Sequence, residues 1–319
     1  MFASRGSKLT SLFKYSQVVI LMVLLMSFDH GVPSFQSLTA KSEWTLKNSI
    51  QPDFDIFHTQ GMVKIGETFF ISAVEVLEPT ETYANSDNLW DKSLTRTAGK
   101  GRGWLFKMDA DGKLLDKVEL TNSTAYHPGG IDFDGEYIWV PVAEYRPNSA
   151  SDIYRVDPST MKATLSFHVS DHIGTIVYDP DQDRFHGASW GARRMYRWTV
   201  KQDENGKGRV EKEIWKPNPI HYIDYQDCHY QGASRMLCGG VKKYQSTDGE
   251  MSLGGIDLID IKNEIPVPLH TVPINIHWNK TMAITNNPFW MDEKDGALRF
   301  YFLPDQGGKA ELLTYEVTP

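Results

Sequence analysis

The strongest constraint in this chain is a repeat. Four hairpins share a small, glycine-rich first strand and an apolar second one: HTQGMVKIGETFFISAVEV (58–76), HPGGIDFDGEYIWVPVAEY (127–145), HIGTIVYDPDQDRFHGASW (172–190) and DYQDCHYQGASRMLCGGVK (224–242). A looser fifth copy reads TNNPFWMDEKDGALRFYFLPD (285–305). After each comes a third strand of apolar, aromatic and basic residues, beginning at Trp104, Ile153, Met195, Ile256 and Leu312. The third strands recur roughly every 40–60 residues, the period of propeller blades rather than of solenoid turns. Glycine at the start of an inner strand has a physical cause, because inner strands converge on a narrow axis where side chains collide. No helical periodicity of any length interrupts the pattern. The expectation is an all-β chain forming a single five-bladed β-propeller, with six blades as the alternative.

The fifth blade lacks an outer strand, since LLTYEV (312–317) ends the chain, while WTLKNSI (44–50) stands unassigned near the start. Pairing the two removes two open edges, so closure by the N-terminal strand is predicted. Trp104, Trp139, Trp198 and Trp290 fall on strand faces and suit packing between blades.

The first 40 residues are set apart from a propeller domain of residues 41–319. Arg5, Lys8 and Lys14 precede the apolar run VVILMVLLM (18–26), which has the layout of a secretory signal peptide, with an uncleaved signal anchor as the alternative. Cleavage before Phe35 or before Lys41 each meets the small-residue rule in part. A secreted, extracytoplasmic protein is expected, with no membrane contact beyond such an anchor. Asn122 and Asn279 begin N-glycosylation sequons, consistent with a glycoprotein. Cys228 and Cys238 are the only cysteines, and two readings stand for them: a disulfide between successive strands, or two buried thiols.

Composition narrows the partners. A chain of 319 residues, 40% hydrophobic and 12% aromatic, has the means to build a core, and its net charge of -8 is dispersed rather than blocked. Nucleic acid is therefore not an expected partner, and no dinucleotide or phosphate-binding fingerprint calls for a nucleotide cofactor. A monomer acting on a small molecule is expected.

Aligning the inner strands brings His58, His127 and His172 to one position of the first three blades and Asp224 to that position in the fourth, with Thr285, Asn286 and Asn287 in the fifth. Equivalent positions on inner strands form a ring around the axis. Three imidazoles and a carboxylate make a ligand set suited to zinc, manganese or iron. His229 is an off-register rival of Asp224, because HYQG (229–232) echoes HTQG (58–61). Glu75 and Glu144 end equivalent second strands and are the candidate catalytic acid and base. Arg146, Arg193 and Arg194 sit on loops where they would meet an anionic substrate. Asp179, Asp181 and Asp183 have calcium-loop spacing but lack its glycine and distal glutamate, so a hairpin turn is expected.

On its hairpin series the whole chain resembles a family of secreted β-propeller proteins that carries only a domain-of-unknown-function label, which implies fold and export. Locally, His58-Thr59-Gln60-Gly61-Met62 with the following FFISAVEV (69–76) is similar to the F-T-Q-G-L motif of the five-bladed glutamine cyclotransferases, though His58 replaces the phenylalanine and no matching glutamate motif follows. Three functions are carried forward: a metal-dependent hydrolase, lyase or isomerase acting on a small polar or carbohydrate-like substrate at the channel mouth; a non-catalytic ligand- or protein-binding propeller; and a cyclotransferase-like acyltransferase.

Overall fold

The structure, a computed structural model, describes residues 32–83, 96–220, 222–247, 249–278, 282–304 and 310–318. The apolar run at 18–26 and the sequon at Asn279 lie outside these. Among the described residues no helix is long and apolar enough to cross a membrane.

Five antiparallel sheets follow one another around an axis. A first strand, β1 (Glu43–Ile50), precedes the first blade, which holds β2 (His58–Ile65), β3 (Thr68–Glu78), β4 (Lys100–Met108) and β5 (Leu114–Glu119). The second blade has its inner strand broken into β6 (Ala125–Pro128) and β7 (Asp132–Phe133), followed by β8 (Ile138–Glu144), β9 (Ser151–Val156) and β10 (Ala163–Val169). Blade three runs β11 (Ile173–Asp179), β12 (Arg184–Ser189), β13 (Arg194–Gln202) and β14 (Gly208–Pro217). Blade four runs β15 (Asp224–Tyr230), β16 (Arg235–Ser246), β17 (Gly249–Asp260) and β18 (Val267–Ile274). The last comprises β19 (Phe289–Lys294), β20 (Ala297–Phe302), β21 (Leu312–Thr318) and the returning β1. β1 pairs antiparallel with β21, from Glu43 against Thr318 to Ile50 against Leu312. The ring therefore closes as expected, in five blades.

Apolar residues fill the gaps between neighbouring sheets, one cluster for each junction. Between blades two and three, Trp139, Phe167, Phe185 and Trp198 are nearly or fully buried. Between blades four and five, Leu258 and Ile256 meet Phe289, Phe300 and Phe302. Such interleaved aromatics are the main source of stability in a ring whose blades have no other common core.

The packed chain starts earlier than the boundary expected at residue 41. Phe35 and Leu38 are fully buried in the cluster between blades four and five. Phe35 stands edge-on to His270, whose Nε2 donates to the Leu38 carbonyl at 2.8 Å. A short helical turn, α1 (Val32–Phe35), sets this approach. Two isolated apolar residues in a polar stretch are invisible to periodicity, which is why the sequence places the boundary after them.

The axis is closed by backbone. A Cβ on Gly129 would lie 2.2 Å from the Gly174 carbonyl oxygen, and one on Gly130 would lie 2.6 Å from that of Gln226. Here the Gly130 amide donates to the Gly174 carbonyl at 2.7 Å, joining blades two and three directly. The glycine-rich inner strands thus seal the channel into two separate ends.

Candidate functional site at the channel mouth

Above that seal lies a cavity of about 280 Å³. Its wall includes His58, His127, His172 and Asp224, so the ring expected from the aligned inner strands does converge, and Asn286 and Asn287 complete it from blade five. His58 pairs with Val74, His127 with Ala143 and Asp224 with Val241, which are equivalent places on the second strands. Register shifts fall just inside this ring, at Gln60, Gly174 and Gln226 of blades one, three and four. A bulge gives one strand an extra residue and re-aims side chains. Both glutamines line the cavity as a result.

The ring centroids of His58 and His127 are 6.2 Å apart, and those of His127 and His172 are 5.7 Å apart. All three imidazoles are held neutral. Burial lowers His58 and His172 to about 4, and it lowers His127 well below the usual range, with the neighbouring His172 and His58 adding to the effect. His172 Nδ1 donates to the Glu144 carbonyl at 2.8 Å, which leaves Nε2 as an acceptor. His58 Nε2 accepts from the Gln60 amide at 2.7 Å. His127 Nδ1 is buried and has no hydrogen-bond partner.

Asp224 is held by cations. Arg193 lies 2.9 Å from its carboxylate and Lys242 lies 3.7 Å away. Among the described residues no three His, Cys, Asp or Glu side chains are grouped to hold a metal ion. Asp224 is engaged by two cations and His58 Nε2 by an amide. His127 and His172 are the two imidazoles that keep a nitrogen available.

The expected acid and base stand elsewhere. The Glu75 carboxylate accepts from Trp104 Nε1 at 3.2 Å and pairs with Arg102, and the Glu144 carboxylate accepts from Thr124 Oγ1 at 2.8 Å and pairs with Arg146. Neither residue lines the cavity, and the Glu144 backbone carbonyl instead orients His172. Arg194 is paired with Asp171 at 2.8 Å. Asp179 to Asp183 form the turn between β11 and β12, with Asp181 accepting from the Tyr230 hydroxyl at 2.6 Å, as a hairpin reading requires. Asn122 is exposed, and its amide donates to Asp152 at 2.7 Å.

Two aromatic residues that the repeat did not single out complete the wall. Tyr145 stacks on His127 with centroids 4.1 Å apart, and Trp190 meets His172 edge-on at 4.7 Å. Each immediately follows the second strand of its blade, a shared position that was their one signal in the sequence.

Below the seal lies the rival histidine. His229 sits between two buried carboxylates, with Nδ1 3.5 Å from Asp132 and Nε2 3.4 Å from Asp227. Burial opposes its charge, but the two carboxylates overcome this and push it up to about 10. Beside it Cys228 and Cys238, directly opposed on β15 and β16, are joined in a disulfide.

Solved structures with the same kind of fold are distant. The luciferin-regenerating enzyme is 11% identical with a TM-score of 0.43, covering 85% of this chain and 96% of its own. A periplasmic gluconolactonase of Pseudomonas aeruginosa is 12% identical with a TM-score of 0.37, covering 82% of this chain and 88% of its own. The tail fiber of Staphylococcus aureus phage P68 is 9% identical with a TM-score of 0.47, and this chain, 87% of it covered, spans only 53% of that one. No curated protein matches the sequence. The sequence does match a family model over residues 26–318, essentially the whole propeller, and the chain therefore belongs to the family of unknown function DUF6454.

Proposed function

We propose that the channel mouth is the working site of this protein, and that it takes a small, polar, carbohydrate-like molecule on which His172 acts as a proton acceptor. One observation carries the reading: three neutral imidazoles, His127 and His172 buried and His58 half-buried, meet in one cavity, and the Nδ1 of His127 has no hydrogen-bond partner. A buried polar atom left unsatisfied costs about 1–3 kcal/mol, a cost that a ligand hydroxyl or carbonyl removes on binding. Gln60, Gln226, Asn286 and Asn287 supply further donors and acceptors, and Tyr145 and Trp190 give flat faces for a sugar ring. His172, oriented by the Glu144 carbonyl, presents Nε2 to the ligand. Proton transfer there supports hydrolase, lyase or isomerase chemistry. A divalent ion on His127 and His172 would add Lewis acidity to the same site, and the Nδ1 hydrogen bond of His172 is the orienting contact that metal-bound histidines use. Gln60 of the cyclotransferase-like motif reaches the cavity, but its one carboxylate, Asp224, is occupied by cations, so acyl transfer of that kind is not favoured. Export to an oxidising compartment is part of the proposal, and the disulfide supports it.

The test combines elemental analysis of the purified protein with a panel of sugars, lactones and polyols, read by thermal shift and by product formation. The reading expects a ligand that stabilises wild type, loses affinity in His127→Gln, and is turned over by wild type but not by His172→Gln. Binding without turnover would leave a non-catalytic binding propeller. A ligand that stabilises wild type and both variants equally would place binding away from the mouth and end the reading.

A further inference from the structure

We propose that the lower end of the channel is a second binding site, independent of the mouth, and that it takes a small methylated ammonium ion of the choline kind.

Each of the five inner strands places one apolar or aromatic residue in the wall of a cavity of about 210 Å³. These are Ile65 of β2, Phe133 of β7, Tyr178 of β11, Tyr230 of β15 and Trp290 of β19. The four aromatic ones are half-buried. The two hydroxyls are already committed, Tyr178 donating to Asp183 at 2.8 Å and Tyr230 to Asp181 at 2.6 Å, so these residues meet a ligand with their rings. Among the described residues no lysine or arginine stands over any of the four rings, and Lys64, which shares the wall, stands over Tyr301 instead.

The charged groups of the wall lean to the negative side. Asp134 accepts from the Trp139 indole at 2.6 Å and from the amides of Glu136 and Tyr137, and among the described residues no cation pairs with it. Asp132 lies 3.5 Å from His229, but the one charge of that imidazole is shared with Asp227. Lys64 is the one cation of the wall, and it is bound to Asp292 at 3.1 Å and Glu67 at 3.8 Å. Asp181 and Asp183, behind the tyrosine hydroxyls, have no ion pair among the described residues and add to the negative potential. The mouth differs in kind, with imidazoles and amides in place of an aromatic wall.

Aromatic rings attract a cation through their negative faces, and several rings around one space with a carboxylate nearby suit a quaternary ammonium. A bare metal ion or a primary ammonium is strongly hydrated and asks for several oxygen ligands or acceptors in return, which rings do not supply. Methyl groups weaken that hydration and add apolar surface for Ile65 and the rings to cover. The volume is below the about 300–1,000 Å³ of sites for drug-sized ligands, which limits the occupant to a small one.

Calorimetry on the full chain tests this with choline, its uncharged isostere 3,3-dimethylbutan-1-ol and calcium chloride, with phosphatidylcholine vesicles as a separate arm. Choline should bind about tenfold or more tightly than the isostere. Raising the salt from about 0.01 M to about 1 M should narrow that margin. Tyr230→Leu should weaken choline about tenfold, whereas Tyr230→Phe, which keeps the ring, should hold the wild-type affinity. Phe133→Leu, on another blade, repeats the test should Tyr230→Leu not fold. His172→Gln at the mouth should leave choline binding unchanged, and a loss there would overturn the placement. Equal binding of choline and its isostere would overturn the cation, and calcium bound in preference to choline would overturn the organic ligand. Wild-type affinity in both leucine variants would remove the site from this end. Binding of the vesicles without binding of free choline would keep the ammonium and assign it to a lipid headgroup, and binding of neither would end the proposal while leaving the mouth reading intact.

Discussion

Histidine occupies both ends of the channel, and the two ends treat it in opposite ways. At the mouth His58, His127 and His172 line a cavity with amides and aromatic rings, no carboxylate approaches them within ion-pair distance among the described residues, and all three are neutral. Below the seal His229 is as buried as His127 and His172 but lies between Asp132 and Asp227 and is held charged. Burial alone therefore does not decide the state of a histidine. The charges within a few ångströms do. The difference also divides labour. Asp227 accepts from the amides of Met62 and Ile131 at 3.0 Å each and from Phe289 at 3.4 Å, so one carboxylate on blade four ties together blades one, two and five. The lower end is a structural knot, and the upper end keeps polar atoms to spare.

The comparison breaks most visibly on stability. Asp227→Ala leaves a charged imidazole with one partner fewer and three amides without an acceptor, and should cost about 3–5 kcal/mol. His127→Gln removes an imidazole with an unpartnered nitrogen and should cost about 1 kcal/mol or less. Urea unfolding of both variants measures the contrast, and equal losses would erase the division between the two ends. A smaller effect sharpens it. Replacing Cys228 and Cys238 together by alanine should cost about 2–4 kcal/mol, because the unfolded chain regains a closed loop. Ligand affinity at the mouth should stay at its wild-type value, and a parallel loss of affinity would show that the ends are coupled.

The smallest effect lies in the pH dependence, where the two ends should pull in opposite directions. His58 and His172 have folded values of about 4, below the unfolded value of about 6.5, so the folded state binds fewer protons and stability falls as pH drops from about 6.5 towards 4. His229 has a folded value of about 10, so its contribution is present below about 6.5 and is lost as pH rises towards 10. Melting curves across this range should show stability falling on both sides of neutrality. His172→Gln should flatten only the acid limb, by at most about 1.4 kcal/mol per pH unit. If it flattens the alkaline limb instead, the assignment of the two sites is reversed.

Much of this architecture is legible in the sequence. The four glycine-rich hairpins with their looser fifth copy, the unmatched strand at 44–50 and the truncated strand at 312–317 specify five blades and their closure, because edge pairing and axial crowding are demands that the repeats state in their own residues. The convergence of His58, His127 and His172 follows from the same repeat, since equivalent places on inner strands share one ring. Asp224 was separable from His229 only through the pairing of its strand, and the shift at Gln226 lets Asp224 face the mouth while Asp227 turns to the seal.

What the repeat could not specify is what each group meets. Glu75 and Glu144 hold matched positions in sequence, yet both carboxylates are drawn to Trp104, Arg102, Thr124 and Arg146, away from the cavity. Asp224 holds the ring position the repeat assigns it, but that Arg193 and Lys242 lie beside it is nowhere stated in the repeat. Asp227 finds its partners at residues 62, 131 and 289, on three other blades. Strand pattern and period are properties of neighbours along the chain and can be read there. Charge compensation is a property of neighbours in space, and only the closed ring brings those residues within the few ångströms over which a carboxylate chooses its partner.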